Sequence, residues 1–462
     1  MGIYGAINAA VSGLSAQSTA LENIAGNVAN SQTIGYKRLD TTFSDLVSGG
    51  GAKQSSQVAG TTFATSRATN SSQGDITDSD VDTYMAINGD GYFVVTTAGG
   101  TVVDGEPAFN DTNYYTRAGD FELTDDGYLV NSSGYYLMGF EIDEVTGNAS
   151  GDNPGVIKIY DTPIPALAST RIDYQASLPV VATSLAGYDA GDPTSWLSPL
   201  AIAGGNISAA NNADFVSESI SGGTITVFNA NGTPQDVNVR WAKSVNAAGA
   251  TEDTWKMYIS TGGDVTNSWY EIGSVTYDAT GAVSGLTAGA QGTVNGDGNG
   301  FTLGALTVNG VTTNGIDLRF GSGSGDLAQY ADPDGRASSV SLEQNGYASG
   351  EIVGLAIDEA GQIVASYSNS QTRTLYDIPL ATFEADHDLR RVNGSGFAET
   401  PTSGVPDLTR GGAILSNAVE LSNADIASEF SKLIVTQQAY SANSRVISSG
   451  DEMLDEALNM VR

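Results

Sequence analysis

The chain has 462 residues, 57 of them glycine and none cysteine, and a formal net charge of -34; its length suits two or three domains. So large an acidic excess argues against nucleic acid, which requires a basic face, and against anionic lipid. The missing cysteine excludes a disulfide scaffold, a thiolate metal site and a cysteine nucleophile.

The charge is uneven. Residues 1–50 carry three acids and two bases, residues 413–462 seven acids and three bases, and the middle holds 43 acids against 14 bases. The acidic excess reads as a solvated outer surface. The nearly neutral ends read as surfaces meant to be buried. The opening "MGIYGAINAAVSGL" lacks the basic region and long apolar core of a secretory signal. No run of about 18 apolar residues occurs, so no membrane span is expected. A route out of the cell would be one without a cleaved signal.

The first element, residues 1–34, reads as a helix. Steps of four and three from Ile7 give Ile7, Val11, Leu14, Ser18, Leu21, Ala25 and Val28, a heptad seam. Gly13 and Gly26 each lower helix propensity by about 1 kcal/mol relative to alanine. Alone, the segment should stay disordered until a partner arrives. The turn residues from Asn30 to Gly35 end it. Residues 35–75, rich in Ser, Gly, Thr and Gln, read as a linker or extended arm.

From residue 76 the pattern is β. "YMAINGDGYFVV" and "YYTRAGDFELTDDGYLVNSSGYYLMGF" place turn pairs between alternating apolar runs. The clearest hairpin alternates Ile225 and Val227 on one arm with Val237, Val239 and Trp241 on the other, around Asn231-Gly232. Trp255, Met257 and Ile259 continue it, and "GEIVGLAIDEAGQIVASYSN" is another hairpin. The composition shifts near 165 and 340. The parsing is nested: a β domain split between 76–165 and 340–412, a second β domain inserted at 166–339, and helices outside both.

Residues 413–462 close the chain as a helix, capped by Ser422 or Asn423. The same count gives Ile426, Phe430, Leu433, Gln437, Tyr440, Ser444, Ile447, Asp451, Leu454, Leu458 and Val461. About 39 helical residues would span roughly 58 Å, which reads as coiled coil. The fold class is therefore α+β, with mainly β domains nested between terminal helices that form a coiled-coil-like assembly region. Its expected polymer interface is Ile7, Val11, Leu14, Leu21, Val28, Ile426, Phe430, Leu433, Tyr440, Ile447, Leu454, Leu458 and Val461.

No catalytic, cofactor or metal site is expected. His387, the one histidine, sits among acids and reads as a surface residue. Asp125-Asp126 and Asp451-Glu452 are adjacent pairs, whereas hydrolysis needs carboxylates facing across a cleft. "NGDGNG" and "ADPDGR" lack the alternating acids and distal Glu of a calcium loop, and "GSGSGD" opens no helix. The polar faces of the terminal helices are Asn, Ser, Gln and acids, which does not suit a membrane surface.

"SGLSAQSTALENIAGNVANSQTIGYKR", "MAINGDGYFVV", "YTRAGDFELTDDGYLVNSSGYYLMGF" and "VELSNADIASEFSKLIVTQQAYSANSRVISSGDEMLDEALNMV" resemble signatures of the axial proteins of the bacterial flagellum, the rod, hook and hook-associated family. "ITVFNANGTPQDVNVRWAK", the return segment from Asn345 to Leu389, and the length resemble the hook branch of that family. Gly35-Tyr36-Lys37 and Asn423-Ala424-Asp425 depart conservatively from the family's usual Gly-Phe-Lys and Asn-Val-Asp.

The resemblance implies a helical homopolymer, a tube with terminal helices on its inner wall and β domains outside. Such a tube would be a bendable joint passing motor torque to the filament. The implied partners are further copies of the chain, the rod, hook cap and hook–filament junction proteins, and the flagellar type III export apparatus. The implied location is the extracellular flagellum. The other readings are a distal rod or hook-associated protein, and a secreted β-rich carbohydrate-binding or hydrolytic protein.

Overall fold

The computed structural model describes residues 3–48, 58–103, 106–143, 146–245, 252–262, 266–305, 307–308, 311–313, 315–321, 327–408 and 411–460. The chain divides into two compact units. One comprises Met1–Asp161, Ile352–Tyr367 and Gln371–Arg462; the other comprises Thr162–Glu351 and Ser368–Ser370.

In the first unit, the N-terminal helix runs Ile3–Ala29. It ends where the Asn30 backbone and side-chain amides both donate to the Gly26 carbonyl. Within residues 35–75, read above as a linker or extended arm, two strands are described. Leu39–Ser48 and Val58–Ala68 pair antiparallel, with Thr41 opposite Ser66 and Phe43 opposite Ala64. Threonine-rich runs suit strands, and a lone two-stranded hairpin is marginal in water. This one is supported by the N-terminal helix, which packs along both strands.

The β body of this unit joins segments from before and after the insertion. Tyr136–Ile142 pairs with Tyr92–Thr96 on one side and Thr372–Asp377 on the other. The returning hairpin Ile352–Ile357/Gln362–Tyr367 extends the same sheet. Phe93, Val95, Phe121, Leu137, Ile157, Ile363 and Ile378 form the core beneath it.

The second unit packs two sheets on a shared core. Ile220–Phe228 pairs with Pro234–Val245 in the register Ile225 to Val237, and Asp253–Ser260 and Asn267–Tyr277 continue the meander. Ile225, Val227, Val237, Val239, Trp241, Trp255, Met257 and Ile259 all point inward and are buried. In the other sheet, Arg171–Pro179 pairs parallel with Ile316–Arg319 and Leu327–Tyr330, and antiparallel with Ser338–Gln344. That last pairing carries the chain past 339 before it leaves the unit.

The chain then returns to the first unit. Ala413–Ser416 pairs with Met85–Asn88, and Ala418–Glu420 with Ile76–Asp78. The C-terminal helix covers Ile426–Met460, 35 residues or about 52 Å. Its cap differs from the expected Ser422 or Asn423: Asp425 Oδ1 accepts from the Ser428 amide at 2.7 Å. Asp425 directly precedes the first helical residue, the position from which a short acid reaches the free amides of the first turn.

Candidate assembly surface

The terminal helices pair antiparallel within one chain. A Cβ added at Gly13 would lie 2.8 Å from Asn443 Nδ2, and one at Gly450 2.9 Å from Ile7 Cγ1. Nearer the β body, Asn27 Nδ2 donates to Glu429 Oε2 at 3.1 Å. These three contacts run in opposite senses along the two helices. Glycine at two of them lets the helices approach closely. The partner that the N-terminal helix was expected to await is thus the chain's own C-terminal helix, together with the hairpin.

Two asparagines fasten the N-terminal helix to the hairpin. Asn27 donates to the Leu39 carbonyl and accepts from the Leu39 amide, both at 2.9 Å, so it mimics a neighbouring strand. Asn23 Nδ2 donates to Thr41 Oγ1 at 2.9 Å, and its Oδ1 accepts from Ser66 Oγ at 3.0 Å. Both asparagines are buried, and both bind helix to hairpin.

The expected seam is only partly the buried stripe. On the N-terminal helix the buried positions are Ala10, Ala16, Ala20, Asn23, Ile24 and Asn27, displaced around the helix from the counted seam. Ile7, Leu14, Leu21 and Val28 are half-buried, and Val11 is 51% exposed. On the C-terminal helix Leu433, Ile447 and Leu454 are half-buried, whereas Ile426, Phe430 and Tyr440 are exposed. The Leu458 side chain and Val461 lie outside the described residues.

Several large apolar residues of the C-terminal helix remain uncovered. Phe430 is 50% and Val435 65% exposed, and Ile434, Val446 and Met453 join them on the same helix. So many large apolar groups on one helix exceed the scattered exposure of ordinary soluble surfaces.

A buried ionic knot holds the helix pair to the β body. Lys37 and Arg117 both pair with Glu420, Arg117 Nη1 at 3.3 Å from Oε2. Lys37 Nζ also donates to the Ser72 carbonyl at 2.7 Å, and the Gly74 amide donates to Glu420 Oε1 at 2.8 Å. The Gly35 amide donates to the Glu420 carbonyl at 2.8 Å. Gly35 has φ 66°, and a Cβ there would lie 2.4 Å from the Ala118 amide, so no other residue fits.

Burial pushes the Lys37 ammonium below its ordinary pKa, and Glu420 opposes that push. Asn423 completes the junction. Its Oδ1 accepts from the Arg38 amide at 2.7 Å, and its Nδ2 donates to the Ser72 carbonyl at 3.0 Å.

Sequence reasoning missed Asn23, Asn27, Lys37, Arg117, Glu420, Asn423 and Glu429 as a set. One available signal was scarcity: Lys37 and Arg117 are two of only 19 bases, and both fall within the quoted signatures. His387 is 66% exposed, 3.9 Å from Asp386 and 3.8 Å from Asp388. Asp125 and Asp126 sit in the turn closed by the Gly127 amide donating to the Thr124 carbonyl. Asn295 to Gly300 also form a turn, whereas residues 322–326 of "GSGSGD" lie outside the described residues. Among the described residues, no three His, Cys, Asp or Glu side chains gather to hold a metal.

Comparison with known proteins gives four family matches in chain order. Flagella basal body rod protein matches residues 7–37, and flagellar hook protein FlgE/F/G D1 domain matches 86–170. Flagellar basal body protein FlaE D2 domain matches 207–347, and flagellar basal body rod FlgEFG protein C-terminal matches 415–460. The chain is 31% identical over 472 residues to the flagellar hook protein FlgE of Brucella suis, covering 100% of both. It is 29% identical over 466 residues to that of Escherichia coli, covering 98% of this chain and 100% of the other. It is 27% identical over 602 residues to that of Caulobacter vibrioides, again covering 100% of both.

Proposed function

The chain belongs to the flagellar hook protein family, and from that premise we propose that it polymerises through the exposed apolar faces of its paired terminal helices. Its function is that of a self-assembling structural subunit of the bacterial flagellar hook, the flexible tube that transmits motor torque to the filament. The full-length relatives support this over a distal rod or hook-associated protein, and over a secreted carbohydrate-binding or hydrolytic protein.

The single observation that carries the proposed interface is the set Ile426, Phe430, Ile434, Val435 and Tyr440 on the C-terminal helix, exposed in the lone chain although each is large and apolar. Burying such side chains gains about 1.5–3 kcal/mol each, and repetition along a tube multiplies that gain. Polar, glycine-rich β surfaces lose little when they slide. The division of labour is therefore firm contacts at the helices and yielding ones at the β domains.

The finer partners belong to the same proposal. The tube's ends would meet rod, cap and hook–filament junction proteins, and subunits would travel unfolded through the flagellar type III apparatus. The reading assigns the chain no catalysis.

The test is a double variant, Val11→Asp with Phe430→Asp. Both positions are exposed, so the lone chain should keep its circular dichroism spectrum and melting temperature. In electron micrographs it should form no tubes at concentrations where the unchanged chain does. Normal tubes from the variant would overturn the proposed interface.

A further inference from the structure

An open groove of about 620 Å³ lies on the first unit, lined by four separate stretches of chain: 81–83, 123–127, 158–161 and 352–355. Much of its lining is apolar and uncovered. Val81, Leu123, Tyr160 and Val353 are all exposed, Tyr160 at 58% and Val353 at 68%. Single exposed apolar residues are ordinary, but four large ones lining one concavity mark a contact site.

Val353 sits in a bulge. Ile352 lies opposite Tyr367 and Gly354 opposite Ser366, so Val353 is the extra residue. A bulge re-aims a side chain and interrupts the ladder at that point. Among the described strands, Ile352–Ile357 pairs on one side only, with Gln362–Tyr367. The bulge makes that free edge a poor template for an added strand. The groove is therefore built for side-chain contact.

Charge selects the occupant. Asp82, Asp125, Asp126 and Asp161 share the lining, and all four are exposed. Lys158 also lines the groove, but its ammonium lies 5.2 Å from the centre of the Tyr128 ring and 5.0 Å from that of Tyr160. It is engaged with aromatic faces. Four carboxylates around an apolar lining favour a cationic guest with apolar side chains and disfavour an acidic one. A second copy of the chain fits poorly, since it carries 53 acids against 19 bases.

We propose that this groove docks a basic segment of a different protein. Its apolar side chains would pack on Leu123, Tyr160 and Val353, and its arginines or lysines would meet Asp125, Asp126 and Asp161. The site uses none of the residues assigned to polymerisation above.

The test is fluorescence anisotropy of a labelled hexapeptide alternating arginine and leucine, titrated with the dilute full chain. The variants are Val353→Ser, and Asp125→Asn with Asp126→Asn. Each changes exposed side chains only, so both should keep the circular dichroism spectrum and melting temperature. The unchanged chain should bind the peptide. Val353→Ser should weaken binding about tenfold, as for the lost burial of one valine side chain. The double asparagine variant should weaken it about fivefold, as for two exposed charge pairs. No binding, or equal affinity for all three chains, would overturn the proposal. So would equal binding of a peptide alternating arginine and serine, which would reveal charge attraction alone. A dimer of the unchanged chain in sedimentation that Val353→Ser abolishes would also overturn it, by assigning the groove to a second copy.

Discussion

Lys37 and Glu420, 383 positions apart in sequence, form an ion pair with side chains only 1% and 0% exposed. Glu420 also serves Arg117 and the Gly74 amide, so one carboxylate answers two buried cations. Glu420→Gln keeps the shape and removes the charge. It should destabilise the first unit by about 3–5 kcal/mol, because two cations are left without a counter-charge. Urea unfolding followed by circular dichroism measures this, and a loss below 1 kcal/mol would mean that the knot is not energetically important.

Glycines of the helix pair should divide by their surroundings. Gly26 has open space where a Cβ would sit, so Gly26→Ala should raise helix stability by up to about 1 kcal/mol. Gly450 faces Ile7 at close range, so Gly450→Leu should separate the helices and lower the ellipticity at 222 nm. Equal effects of the two substitutions would contradict the antiparallel register.

Asn27→Ala should remove both bonds to Leu39 and leave Glu429 Oε2 short of a donor, while Glu429 Oε1 keeps Lys432 at 2.6 Å. The expected cost is about 1–3 kcal/mol. Amide hydrogen exchange reads it locally: the Leu39 amide should exchange faster in the variant than in the unchanged chain.

Alkaline pH should unfold both units. Burial raises the hydroxyl pKa of Tyr92, Tyr174, Tyr258 and Tyr277 above the ordinary 10.0, and that of Tyr115 to about 12. The unfolded chain therefore releases these protons near pH 10 while the folded chain still holds them. Their contribution is complete below about pH 10 and is lost as pH rises through the folded values. Absorbance at 295 nm should show a group of tyrosines ionising only together with unfolding. Smooth ionisation of all tyrosines near pH 10, with the fold intact, would contradict this.

The sequence carries the fold through local patterns. Strict alternation from Ile225 to Val227 and from Val237 to Trp241 makes a buried strand face legible, because side chains in a strand repeat every two residues. The arm hairpin was less legible: its threonines are good strand formers, but its few apolar residues resemble a linker. A heptad count fixes spacing on the terminal helices, yet it does not say which of two adjacent stripes meets the hairpin. The stripe that meets the hairpin is the one carrying Ser12, Asn23 and Asn27, which bond to Thr62, to Thr41 and Ser66, and to Leu39. The knot is invisible locally, because Lys37, Arg117 and Glu420 meet only after the strand pairings Ile76–Glu420 and Met85–Ser416 have formed.

The central claim is that the outer face of the C-terminal helix becomes buried between copies. The chain has no cysteine of its own, so Val435→Cys places a single thiol on that face. Its rate of reaction with a maleimide should be high in the dilute lone chain, where Val435 is 65% exposed, and should fall at least tenfold in assembled tubes. An equal rate in tubes and in lone chains would contradict the account.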